Sequence, residues 1–242
     1  MYAALAYDPS KSSFYRVARF AQGFRCLNVY NSQTRRWKKL EFWLENDVTK
    51  AEWIEKQSVF FQGEIYRLSM SGHLLRFVVD REVSLKDQAQ AINLPDVANK
   101  LYPKNYCLGL CNDQINFMVF DNELCLCIWV LSTDTYEWSL RRRLSRIHQY
   151  FACKNSFCPP FGFHPYMDIV FVGLTSQGLK SSIMKISFGK HIASAYKYSC
   201  QDIVRDICDG HFINWHNAVT FPLFKCPVPF ANGTAEPSTD GM

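Results

Sequence analysis

Cys200, Cys208, His211 and His216 form the densest group of potential metal ligands in the sequence, spaced C-x7-C-x2-H-x4-H. Structural zinc sites draw paired ligands about two to four residues apart, with the pairs well separated. This group has no such first pair, so it reads as buried thiols beside loop histidines. Cys107 and Cys111, like Cys125 and Cys127, flank or occupy expected strands. Residues i and i+2 of a strand share a face, which lets Cys125 and Cys127 point together into a core. His164 precedes Pro165 and a strand. That is a turn position, and no carboxylate stands close by in sequence to orient the ring as a general base.

The run of Arg141, Arg142, Arg143 and Arg146 has three readings. In order of preference these are a solvated loop between structural units, a patch for an acidic partner protein, and a nucleic-acid surface. The last is disfavoured because few aromatics interleave with the arginines. Ser145 follows the run, and its phosphorylation would cancel part of the charge. Trp43 and Trp53 with Glu52 and Glu55 are the one local grouping suited to a sugar. No G-x-S-x-G elbow, P-loop or G-x-G-x-x-G turn is present. The sequence therefore assigns no catalytic, cofactor-binding or metal-ligating residue, and it leaves the binding residues open.

These side chains must be positioned by a folded core. Of 242 residues, 48% are hydrophobic and 15% aromatic, which is ample for one large domain. The net charge of +5 is mild and mostly scattered, unlike the basic stripe of a nucleic-acid binder. No apolar run is long enough to span a membrane, and Met1–Ser13 lacks the features of a secretory signal. The expectation is a cytoplasmic or nuclear protein whose ten cysteines are reduced, with no membrane or nucleic-acid partner and an unused sequon at Asn232. Residues 227–242, rich in Pro, Gly and small polar residues, read as a disordered tail after a domain over 1–226.

Short aromatic and β-branched runs broken by turns dominate, so the chain reads as all-β. Ser58–Ser69 is a hairpin around Gln62-Gly63, and Gly72–Asp80 supplies a third strand. Ile115–Ser132 gives two strands hinged at Asp121-Asn122, and Asp168–Lys190 two more with a turn at Ser176–Gly178. Short helices are weakly suggested near Gln88–Lys100 and Leu140–Tyr150. Cys26–Leu40 and Leu126–Leu140 share one layout: a strand, a polar turn containing Thr, a Trp, a short gap and a Leu. Trp37 and Trp138 lie 101 residues apart (138 − 37), two periods of a roughly 50-residue kelch-type unit. A unit between them ends near Leu94-Pro95, where Phe77–Pro95 offers strand, turn and strand, and a fourth runs from Ile169 to about Tyr198. The fold expected is a partial or irregular β-propeller of about four antiparallel blades, with each Trp packing between units and its N–H reaching a loop carbonyl. A sandwich with two similar hairpins is the alternative.

The same residues resemble a family. Ala6–Phe20 resembles the YDP-S-x-x-Y-x-V segment of plant F-box-associated domains, and Cys26–Leu40 is similar to their VYNSxTxxW strand pair. Ser58–Asp80 resembles their next hairpin, with Arg67 where a Trp is frequent. Leu126–Leu140 and Phe163–Gly173 are similar to the LxIWxL…EW and HP-x-x-D-x-VF motifs. The matches keep the family's order over roughly residues 5–200. The resemblance implies a non-catalytic substrate receptor of a ubiquitin ligase, holding a substrate protein while an F-box recruits the Skp adaptor and cullin. Only five residues precede Ala6 here, so Skp and cullin are expected as partners only if an F-box is supplied, and leading blades are expected to be missing. A kelch-like carbohydrate-binding domain or enzyme is the alternative function. An unclosed ring of about four blades would expose edges and apolar faces and invite association.

Overall fold

The computed structural model describes residues 2–20, 26–45, 48, 53–98, 106–145, 160–176, 179–188 and 193–199. Cys200, Cys208, His211, His216, Arg146, Asn232 and the expected tail lie outside them. The described strands form four antiparallel sheets, each a simple meander of four strands. Sheet 1 holds β1 (Tyr2–Ala6), β2 (Arg16–Phe20), β3 (Cys26–Asn31) and β4 (Arg36–Glu41). Sheet 2 holds β5 (Trp53–Phe61), β6 (Glu64–Ser69), β7 (His73–Val78) and β8 (Ala89–Asn93). Sheet 3 holds β9 (Tyr106–Cys111), β10 (Gln114–Phe120), β11 (Leu126–Leu131) and β12 (Trp138–Leu144). Sheet 4 holds β13 (Pro160–Phe163), β14 (Ile169–Ser176), β15 (Leu179–Phe188) and β16 (Ala193–Ser199).

The first strands adjoin in order, β1 against β5, β5 against β9 and β9 against β13, so the sheets radiate from one seam in a propeller-like arrangement. No contact of similar extent joins β13 to β1 among the described residues. The repeat extends to backbone detail. Arg35 and Tyr136, each two residues before a repeat Trp, both take the left-handed conformation, with φ of 54° and 56°. The β5–β6 hairpin turns through Gln62 (φ 49°) and Gly63 (φ 86°), and β9–β10 turns through Asn112 (φ 50°) and Asp113 (φ 54°). Two successive positive φ values make a type I′ turn, whose twist matches that of the strands it joins. Gly63 has a second constraint, since a Cβ there would collide with the Asp80 carboxylate.

Each of sheets 2 to 4 lays one cross-strand row on the sheet before it. In sheet 2, Phe60, Ile65, Phe77 and Ala89 stand in register and pack on Ala18, Phe20 and Leu27 of sheet 1. In sheet 3, Leu110, Ile115, Leu131 and Trp138 pack on Tyr66, Leu68, Leu74 and Ile92 of sheet 2. In sheet 4, Phe163, Val170 and Ile186 pack on Cys107, Met118 and Ile128 of sheet 3. β6, covered on both sides, is buried at every position. Gly109 lets β13 come close, because a Cβ there would stand 2.6 Å from Cδ2 of Phe163.

Two polar devices pin neighbouring sheets. Trp138 Nε1 donates to the carbonyl of Asn93, the last residue of β8, at 2.9 Å. Glu64 on β6 accepts from Tyr66 Oη at 2.8 Å, from Arg76 Nε at 2.6 Å and from Arg81 at 3.1 Å. The Arg76 guanidinium in turn lies 5.3 Å from the ring centre of Tyr136 on sheet 3. Burial alone would raise the Glu64 pKa, but Arg76, Tyr66 and Arg81 outweigh it and hold the carboxyl below its ordinary value. Arg67, buried, stacks its guanidinium 5.0 Å from the Phe20 ring, where the family resemblance has an aromatic.

Four expectations need correction. The helix suggested near Gln88–Lys100 is β8 followed by a short turn, closed by Ala98 N donating to Pro95 O at 2.8 Å. Over Leu140–Leu144 the second suggested helix, and over Arg141–Arg143 the expected loop, are β12, while residues 146–150 lie outside the described residues. Pairing of β8 with β7 and of β12 with β11 decides this, since two short helix-compatible stretches have no helical face to bury and each lies beside an open strand edge. The fourth unit begins at Pro160 rather than Ile169; Pro opens β13, where a missing N–H costs no internal ladder bond. Replacing Trp138 by Phe should cost about 1 kcal/mol by orphaning the Asn93 carbonyl, and by Ala about 3 kcal/mol through lost packing. Urea denaturation followed by far-UV circular dichroism checks both.

Candidate functional site

The connections from first to second strand span residues 7–15 in sheet 1, Gln62-Gly63 in sheet 2, Asn112-Asp113 in sheet 3 and 164–168 in sheet 4. Asn112 N donates to Pro165 O at 2.8 Å, tying the last two together at one end of the fold. Along the row of sheets, two longer loops thus flank two minimal turns.

Both longer loops are locked by their own polar residues. The Asp8 carboxylate accepts from Ser10 N at 3.1 Å and Ser10 Oγ at 2.6 Å, and its carbonyl accepts from Lys11 N and Ser12 N. The Ser10 hydroxyl, aided by Lys11, keeps the Asp8 carboxyl below its usual range despite some burial. Tyr15 N donates to Ser32 Oγ at 2.8 Å, and Ser32 N returns a bond to Tyr15 O at 3.0 Å. In sheet 4, His164 N donates to Ile169 O at 2.9 Å, and His164 Nδ1 accepts from Tyr166 N at 3.2 Å. His164 is therefore a turn residue whose ring shapes the loop. These fixed loops present Phe14 (49% exposed), Tyr166 (64%) and Met167 (46%) to solvent. Large apolar side chains on ordered loops are the usual composition of a protein-contact surface. Sequence reasoning did not single out these three, although the YDPSKSS motif points to the first loop.

The arginine run lies on β12, facing carboxylates. Arg141 and Arg142 approach Asp168 at 3.4 and 3.6 Å. Arg143 pairs with Asp121 at 2.9 Å and Glu123 at 2.5 Å. Three positive charges thus meet three negative ones, which disfavours both an acidic partner and nucleic acid at this strand. Beside the last pair is an open depression of about 260 Å³ lined by Asp96, Val97, Asp121, Asn122, Glu123 and Arg143. Asp121, Glu123 and Cys125 bring ligand-type atoms within 4.8 Å of one another, but the Arg143 guanidinium already supplies the cation there. Burial would raise the Asp121 pKa; donation from Cys125 N and Glu123 N and the Arg143 charge outweigh it and lower it from the ordinary 3.8.

Cys107 and Cys111 share the face turned to sheet 4, and Cys127 faces sheet 2. Burial pushes the Cys107 thiol up to about 12, and burial together with the Asp121 charge pushes Cys127 up to about 11. Neutral thiols are poor nucleophiles and poor metal ligands, so these are packing residues. Trp43 is 56% exposed and its backbone N donates to Leu85 O at 3.3 Å. Glu52 and the side chains of Trp53 and Glu55 lie outside the described residues, so of the sugar grouping only Trp43 is described.

No family model and no curated protein matches the chain. Among solved structures, the N-terminal domain of Nup159 aligns at 10% identity and TM-score 0.43, over 76% of this chain and 45% of that one. A post-proline cleaving enzyme from Rickettsia typhi aligns at 10% identity and TM-score 0.43, over 80% and 28%. Xyloglucan PUL GH43B of Bacteroides ovatus aligns at 11% and 0.41, over 80% and 40%. The chain thus spans less than half of each, and these likenesses are too slight to carry a function.

The Asp121 cluster makes a pH prediction. A carboxyl whose pKa is lowered by folding stabilises the fold above its ordinary value, and that stabilisation is lost as pH falls through the lowered one. Asp121→Asn should therefore melt below wild type around pH 6, with the gap closing below about pH 4, in scanning fluorimetry across pH. In maleimide labelling of native protein at neutral pH, Cys107 and Cys127 should stay unmodified until denaturant is added.

Proposed function

We propose that the chain is a partial kelch-like propeller serving as a non-catalytic protein-interaction module, of the kind that holds substrate for an F-box ubiquitin ligase subunit. The observation that carries the reading is the loop end. Two hydrogen-bonded loops, fixed at opposite ends of the row of sheets, expose Phe14, Tyr166 and Met167 across two minimal turns. The ordered resemblance to plant F-box-associated motifs supplies the ligase context, and the first of those motifs is the loop that Asp8 and Ser10 lock. The paired arginines and neutral cysteines point away from nucleic acid and thiol chemistry at those residues.

Affinity purification from plant cells, read by mass spectrometry, tests this with and without a fused F-box. A substrate protein should be recovered in both cases, and Skp and cullin only with the F-box. Phe14→Ala combined with Tyr166→Ala should lose at least most of the substrate signal while the melting temperature holds. Leu140→Ala, on the exposed part of β12, should retain it. Recovery of the same proteins by the double variant would refute the loop end as the binding surface.

A further inference from the structure

Sheet 1 carries the row that sheets 2 to 4 use for stacking, and nothing covers it among the described residues. Leu5 pairs with Val17, Val17 with Tyr30 and Tyr30 with Trp37, one residue on each strand. Strand for strand, this is the row Leu110, Ile115, Leu131 and Trp138 of sheet 3, with the left-handed residue again two places before the Trp. In sheet 3 the row is seated on sheet 2. In sheet 1, Leu5 is 59% and Trp37 51% exposed, with Val17 and Tyr30 half-buried. The rings of Tyr15, Tyr30 and Trp37 continue across the face at 6.4 and 5.4 Å. A sheet face turned permanently to water alternates toward polar residues. Leu, Val, Tyr and Trp in one row instead match a face that stacks.

At the other end of the described sheets, sheet 4 turns its second face away from sheet 3. That face carries Phe171, level with Gly162 and Lys185, and Gly173 two residues on. A phenylalanine beside two glycines leaves room for a bulky incoming row. The chain's own sheet 4 does not cover sheet 1, since the first-strand seam runs from β1 to β13 without returning.

We propose that a second copy of this chain covers sheet 1: sheet 4 of each copy seats on the Leu5–Val17–Tyr30–Trp37 row of the other. The two contacts are identical, so the assembly closes with two-fold symmetry. The four described sheets of each chain together make an eight-sheet ring, inside the range of about four to eight blades that propellers use. The polarity of the face favours two chains over one continuous one. Beside the apolar row, sheet 1 has Ala3, Arg19, Asn28 and Lys39 in register, where sheet 3 has Leu108, Phe117, Trp129 and Leu140. An apolar centre with a polar rim is the composition of a surface that also exists unpaired in water. The contact lies on sheet faces and meets the loop end only at Tyr15, so it does not depend on the function proposed there.

Sedimentation velocity of the full chain should give twice the chain mass, and Trp37→Asp should halve it while keeping the wild-type circular dichroism spectrum. A wild-type monomer at every concentration overturns the proposal, as does a folded Trp37→Asp variant that stays dimeric. Should Trp37→Asp not fold, cross-linking of mixed ¹⁴N- and ¹⁵N-labelled wild type decides. Mixed-isotope links from Lys39 to Lys185 are expected; links confined to one isotope would mean closure within one chain, or none between copies, and would overturn it. Loss of the dimer with retained substrate capture would leave the loop-end reading standing.

Discussion

A four-stranded sheet with two apolar faces cannot be stable alone, and everything else in this molecule follows from how each sheet covers the next. The unit of coverage is a cross-strand row of side chains, set by the period of two along a strand and by the hairpin turns that fix register. Burial on both sides explains why β6 has no exposed position and why polar side chains appear there only with partners. Glu64 is tolerated between sheets because Tyr66, Arg76 and Arg81 all reach it. Arg67 is tolerated with its guanidinium against an aromatic face.

The same constraint governs the turns. A slip of one residue in any hairpin would rotate the whole row away from its neighbour, so left-handed backbone conformations recur at matching places. In sheet 2 a glycine supplies one, while in sheet 3 Asn112 and Asp113 do so unaided. Short polar side chains bear positive φ at modest cost, which makes Asn-Asp a valid hairpin turn without a glycine to announce it.

That difference accounts for what was legible in the sequence. The hairpins at Gln62-Gly63 and Asp121-Asn122 and the Trp37/Trp138 repeat were readable because local turn chemistry and alternation agree. Ala89–Asn93 was readable both as the closing strand of a unit and as part of a short helix, and Trp138–Leu144 partly as helix, because their preference for strand comes from a neighbouring edge rather than from their own residues. The arginine run misled for a related reason. Its partners Asp121, Glu123 and Asp168 come from other connections, so the charge looked unbalanced along the chain and is balanced in space. Of the loop end, only the Asp8–Ser10 lock was foreshadowed, as part of a motif. That Tyr166 and Met167 stand at the same end follows from topology, which places all first connections together.

The position of the tryptophans shows how one residue type acquires two roles. Trp138 and Trp37 follow the same turn, on the same strand of their sheets, with the same backbone conformation two residues earlier. Trp138 meets a preceding sheet, so its ring packs near Phe117 and its N–H finds the Asn93 carbonyl. Trp37 meets none within the described chain, and its ring is instead flanked by Tyr30 and the Arg19 guanidinium at 5.4 Å. Local sequence therefore specifies the row and its direction, but not whether a sheet lies opposite. A row that faces no described sheet still carries the chemistry of the contacts already made within the stack.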